Sequence, residues 1–132
     1  PQVDDAVSAV ASLPRVRAAM VKQQRRIGAH DDIVIEGRDI GTVVFPDADL
    51  KVFLTASPEE RSRRRAAQQA AQGVLVDPAG VRESIERRDL ADSTRPIAPL
   101  TPAHDARVID TTGLSLDEVV ARVVAYIEVW RP

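Results

Sequence analysis

Ile33-Val34-Ile35-Glu36-Gly37-Arg38-Asp39-Ile40-Gly41-Thr42 passes from three β-branched apolar residues straight into glycines and charges. Such a passage reads as a buried strand that delivers a loop to the edge of an α/β sheet, where that architecture binds its ligands. Arg38 and Asp39 stand just beyond the apolar run, and charges placed there need a reason to be partly desolvated. A plain turn with an incidental charge pair is the bland alternative.

Outward from this stretch, Leu50-Lys51-Val52-Phe53-Leu54-Thr55 reads as a second strand and Ala106-Arg107-Val108-Ile109-Asp110 as a third. Upstream, Val7, Val10, Ala11, Leu13, Val16 and Met20 recur at helical steps between Asp5 and Gly28, with Pro14 splitting or kinking the helix. Downstream, Ser57-Pro58-Glu59-Glu60 combines an N-cap, a first-turn proline and a capping-box glutamate, predicting a helix to about Gln72. Gly73 ends it, and Asp77-Pro78 opens a second helix reaching about Thr94, so the pair is expected to form a helical hairpin. Ser115 and Glu118 form another capping box, ahead of a stripe of Leu116, Val119, Val120, Val123, Ile127 and Trp130. The order of helix, strand, strand, helical hairpin, strand, helix points to an α/β fold, with parallel strands if the crossovers are helical. Three short strands make a thin sheet with an exposed edge, so a further strand is expected to be missing from this chain.

The 20 acidic and 18 basic residues nearly cancel, giving a net charge of −2, so the composition makes no electrostatic case for nucleic acid or an anionic membrane. Aromatic content of 3% also counts against a base-stacking surface. No cysteine is present, which excludes disulfides and thiolate metal sites, and His30 and His104 have no ligand pattern around them. The apolar runs fall far short of the roughly 20 residues that cross a bilayer. With no export signal, a cytoplasmic location is the default expectation.

Lys22 and Lys51 are the only lysines, and every other basic residue is arginine, as high genomic GC content alone would produce. Guanidinium groups also grip phosphate in a bidentate way. Arg61, Arg64 and Arg65 share a helix face, either as a solvated surface beside Glu59 and Glu60 or as a lid that meets a polyphosphate. Arg88, Asp92 and Arg95 also share one face, either as an ion-pair ladder or as a sugar-hydroxyl acceptor set between two anion-binding groups. Arg17 is unremarkable on spacing alone.

Taken together, the run from Ile35 to Ala48 containing GRDIGTVVFPDA, the strand through Leu54, Ser57-Pro58-Glu59-Glu60-Arg61, Arg95-Pro96-Ile97-Ala98-Pro99-Leu100 and Asp110-Thr111-Thr112 resemble bacterial cytidylate kinases over essentially the whole chain. The resemblance implies a partial P-loop nucleoside monophosphate kinase fold, a parallel sheet flanked by helices with a helical lid. It divides the chain into the C-terminal part of the nucleoside-monophosphate-binding region at 1–30, core strands and acceptor-site loop at 31–56, the lid at 57–95, and a final core strand and helix at 96–132. Ser8, Arg17 and Asp39 would face cytosine, Arg38 and Arg95 the acceptor's phosphate, and Arg88 with Asp92 the sugar. Arg61, Arg64, Arg65 and Arg95 would carry the catalytic charge stabilisation. The loop from Thr111 to Ser115 would approach the adenine.

The implied reaction moves the ATP γ-phosphoryl group to CMP or dCMP, with Mg²⁺ accompanying ATP, no metal site of the chain's own and no nucleic-acid or membrane partner. The complete chain is expected to be a monomer. No Gly-x-x-x-x-Gly-Lys-Ser/Thr occurs, and Gly37 to Gly41 lacks the lysine and hydroxyl that cradle phosphate. The family's loop would lie upstream, so this polypeptide alone is expected to be inactive. A non-catalytic nucleotide-binding module of kinase descent is the alternative, and a structural or interaction fragment a more distant one.

Overall fold

Two four-residue runs make the sheet in the computed structural model, which describes residues 10–11, 13–29, 32–74, 77–94 and 99–130. Strand β1, Val52–Thr55, lies parallel to β2, Arg107–Asp110, in the register Val52 to Arg107, Phe53 to Val108, Leu54 to Ile109 and Thr55 to Asp110. Backbone bonds extend the ladder at both ends, from Arg107 N to Lys51 O at 2.8 Å and from Thr111 N to Thr55 O at 2.8 Å. A parallel pair cannot be closed by a tight hairpin, and the connecting chain here contains two helices.

Helix α1, Pro14–Ile27, starts where the proline stands, because the first helical position needs no N–H donor. Arg25 and Arg26 fall in its last turn, where cations complement the helix dipole. Helix α2 spans Pro58–Ala71 and α3 Pro78–Thr94. Ser57 Oγ accepts from Glu60 N at 3.2 Å, and the Asp77 carboxylate accepts from Ala79 N and Gly80 N. Gly73, at φ 73°, takes the left-handed conformation that ends α2. Helix α4, Leu116–Trp130, carries the full reciprocal cap, in which Ser115 N donates to Glu118 Oε2 at 2.7 Å and Glu118 N to Ser115 Oγ at 3.3 Å.

The backbone divides into two compact units, one comprising Pro1–Ala48 and Arg88–Ala103, the other Asp49–Arg87 and His104–Pro132. The second holds the small parallel sheet with α2 and α4, and Ile109 on β2 is buried. The first holds α1 and a five-residue π-helical turn, Ile40–Val44, in which Val44 is 1% exposed.

Three expectations need correction. Ile33-Val34-Ile35 is extended but forms no strand, and Val34 is fully exposed. An extended run becomes a strand only where a neighbour completes its hydrogen-bond ladder, and both described strands belong to the other unit. The capping box at α2 is only half formed, because the Glu60 carboxylate is held by Arg63 and Arg64 while Ser57 N donates to Thr112 Oγ1 at 2.9 Å. The α4 stripe forms as a helix face, but Leu116, Val120, Ile127 and Trp130 on it are all exposed.

Candidate functional site

In the first unit, α1 and the loop leading into the π-helical turn bring together Arg17 and Asp39, which form an ion pair. Both side chains are largely buried, and Asp39 is 6% exposed as a residue. Desolvating two charges costs several kcal/mol per ion, so a pair of this kind is weak evidence for stability and better evidence for a specific role. The π-helical turn follows directly, with Val43 N and Val44 N donating to Asp39 O at 2.9 and 3.3 Å and Phe45 N to Ile40 O at 2.7 Å. Wide turns of this kind concentrate at functional sites.

Arg38, the neighbour of Asp39, reaches Asp89 on α3 at 3.7 Å. The loop is thereby tied to the helix whose backbone carries Arg88 and Asp92 one turn apart. The side chains of Arg88 and Asp92 lie outside the described residues, as do Ser8 and Arg95. A groove of about 490 Å³ runs beside α1, lined by Arg17, Val21, Lys22, Arg25 and Val43 among others. Arg25 is the residue that spacing overlooked: its guanidinium bonds the Val43 and Val44 carbonyls. The available signal was its place at i+8 from Arg17, on the same helix face.

In the second unit, a groove of about 580 Å³ is lined by Thr55, Arg61, Arg63, Arg64, Thr111 and Ser115 with apolar neighbours including Leu114 and Val119. Helical spacing grouped Arg61, Arg64 and Arg65, whereas the groove collects Arg61, Arg63 and Arg64. Arg65 instead donates to Gln68 Oε1 at 3.1 Å. Arg64 is a clamp, since Nη2 donates to Thr111 O at 2.6 Å and Leu114 O at 3.2 Å, Nη1 to Thr111 Oγ1 at 3.0 Å, and Nε to Glu60 Oε1 at 2.7 Å.

Arg63 grips Glu60 with two bonds, of 3.0 and 2.7 Å. The Arg63 bonds chiefly, with Arg64 helping and burial opposing, pull the Glu60 carboxyl down from 4.5 to about 2. This keeps it anionic and keeps the cluster's charge partly balanced. Beyond the groove, the Lys51 ammonium, 6% exposed, meets Asp105 at 2.7 Å, a bond that lowers the Asp105 pKa.

Among the described residues, no group of three or more His, Asp or Glu side chains could hold a metal ion. Nor is any helix among them long and apolar enough to cross a membrane.

The chain matches the family model for cytidylate kinase over residues 1–129. It is 48% identical over 131 residues to a cytidylate kinase of Pelotomaculum thermopropionicum, covering 99% of this chain and 58% of that protein. A cytidylate kinase of Rhodococcus jostii is 51% identical over 123 residues, covering 92% of this chain and 54% of the relative. A bifunctional pantoate ligase/cytidylate kinase of a Synechococcus strain is 51% identical over 132 residues, with 99% of this chain matched to 26% of that longer protein. The chain thus spans little more than half the length of its single-function relatives. The match runs through the Arg17–Asp39 pair, the Arg38 loop and the arginine-lined groove alike, and the chain belongs to the cytidylate kinase family.

Proposed function

We propose that these residues form the acceptor-binding and lid parts of a kinase that transfers the γ-phosphoryl group of ATP to CMP or dCMP, giving CDP or dCDP. The buried pairing of Arg17 with Asp39 carries this reading. Cytosine presents acceptors at N3 and O2 beside an amino donor at C4, so a guanidinium and a carboxylate complement its edge. Uracil reverses two of those roles, which sets donor against donor and acceptor against acceptor. The loop holding Asp39 also carries Arg38, assigned with Arg95 to the acceptor's phosphate. Ser8 joins the base contacts, and Arg88 with Asp92 serves the sugar.

Phosphoryl transfer needs alignment and charge stabilisation more than covalent chemistry. Arg61, Arg65 and Arg95 supply charge in this reading, with Arg64 also holding the loop from Thr111 to Ser115 that approaches the adenine. Residues 1–30 then belong to the nucleoside-monophosphate-binding region, 31–56 to the core and acceptor loop, 57–95 to the lid and 96–132 to the closing core strand and helix. The complete enzyme works as a monomer, with Mg²⁺ arriving on ATP. These residues contain no phosphate-cradling loop, so transfer requires one from outside them.

Titration calorimetry of the 132-residue chain with CMP, UMP and ATP, beside an assay for ADP release, tests the reading. Saturable CMP binding, UMP weaker by about tenfold or more, and no turnover are expected. Asp39→Asn should erase the preference for CMP over UMP. Equal binding of the two pyrimidines, or CDP formation by the chain alone, would refute it.

A further inference from the structure

One face of α1 grips the acceptor loop at two places. Arg17 holds it at Asp39, before the π-helical turn. Eight residues further along the helix, Arg25 Nε donates to the Val44 carbonyl at 2.8 Å and Nη2 to the Val43 carbonyl at 2.7 Å. These carbonyls close the turn, where a helical segment runs out of donors for its own acceptors. A planar guanidinium fork can satisfy two such carbonyls together, which a single ammonium cannot do with the same geometry. Val44, whose carbonyl Arg25 takes, is also the most deeply buried side chain among the described residues.

We infer that Arg25 is a positioning residue that fixes the rotation of the π-helical turn and so the direction in which Asp39 presents its carboxylate. It acts through Asp39 and not by contact with the base, so its part in recognition rests on the proposed reading of Asp39. Arg17, Val21 and Arg25 follow one another along this face over about two turns of α1, so the helix serves as a straightedge on which both ends of the π-helical turn are set.

The test uses the 132-residue chain as wild type, Arg25→Ala, Arg25→Lys and Asp39→Asn, with amide hydrogen exchange by NMR beside calorimetry with CMP and UMP. In Arg25→Ala, exchange at Val43, Val44 and Phe45, whose amides bond Asp39 O and Ile40 O, should accelerate by about tenfold or more. Amides at the sheet end, Arg107 and Thr111, should keep their rates. CMP affinity should fall by about tenfold, with the preference for CMP over UMP narrowed. Arg25→Lys should lie between wild type and Arg25→Ala on both readouts.

Unchanged exchange at Val43 to Phe45 overturns the inference, even with weakened CMP binding, because Arg25 would then contact the ligand directly. Acceleration spread evenly over both units also overturns it, as the mark of a general loss of stability. If wild type and Asp39→Asn treat CMP and UMP alike, the reading of Asp39 fails, and the exchange rates still decide whether Arg25 sets the turn.

Discussion

Arg64 donates from one nitrogen, Nη2, to the carbonyl of Thr111 at 2.6 Å and from another, Nη1, to the hydroxyl of the same residue at 3.0 Å. Thr111 Oγ1 passes the connection on by donating to Thr55 O at 2.8 Å, so α2, the end of β1 and the turn after β2 are joined through one buried threonine. Arg64→Ala should therefore cost about 1–3 kcal/mol of stability, since it removes a charged donor from carbonyls inside the fold. Urea denaturation measures it. An unchanged midpoint would mean that the turn does not depend on Arg64.

Acid should loosen the same region. The Glu60 carboxyl lies near 2 in the folded chain against an ordinary 4.5, so the stability it contributes is complete above about pH 4.5 and drains away as pH falls toward 2. Glu60→Gln should flatten the fall in urea midpoint between pH 5 and pH 2.5 relative to wild type, measured by far-ultraviolet circular dichroism. Asp105, Asp110 and Glu118, also lowered by their hydrogen bonds, leave some residual slope in the variant. Parallel curves for the two proteins would remove Glu60 from the account.

The Lys51–Asp105 pair is lopsided, with the ammonium 6% exposed and the carboxylate 45% exposed. Water can accommodate Asp105 if Lys51 is replaced, whereas replacing Asp105 takes the carboxylate away from a buried ammonium. Asp105→Ala should lower the denaturation midpoint more than Lys51→Met. The reverse order would contradict this.

Gly28→Ala should destabilise the first unit. A methyl group there would fall 2.4 Å from Ile33 Cδ1 and 2.7 Å from Phe45 Cζ, closer than real side-chain carbons approach. Ile33 is exposed enough to swing aside, but the Phe45 ring must also shift, so the cost is about 1–3 kcal/mol. Hydrogen exchange should show the loss first at the π-helical turn.

What could be read from the chain follows how local each signal is. The caps at Ser57, Asp77 and Ser115, the stop at Gly73 and the break at Pro14 all depend on residues within one helical turn, and the structure has each of them. The strands at Val52 and Arg107 could also be read, because their β-branched content matches their state. Ile33 to Ile35 has equal local quality and no strand, since pairing depends on distant chain. Glu60 has the spacing of a capping box but does not close it, because Arg63 and Arg64 offer its carboxylate competing donors from the next turn. At the site, the pairing of Arg17 with Asp39, 22 positions apart, leaves no mark in spacing, and the resemblance, which implies that both residues face cytosine, does not imply that they meet. Arg25 was missed because its acceptors are backbone carbonyls, which no side-chain pattern advertises.

The π-helical turn makes the aim of the acceptor loop a matter of counting. Its closing bond joins Phe45 to Ile40 across five residues, one more than an ordinary helical turn encloses. Removal of a single residue between them would let the segment close as an α-turn, rotating Asp39 by about 100° against Val44. Arg17 and Arg25 sit at fixed places on α1 and could not both follow. A one-residue deletion here would thus leave the composition and charge of the loop almost untouched while turning its carboxylate away, so length is as much a part of this site as the residues in it.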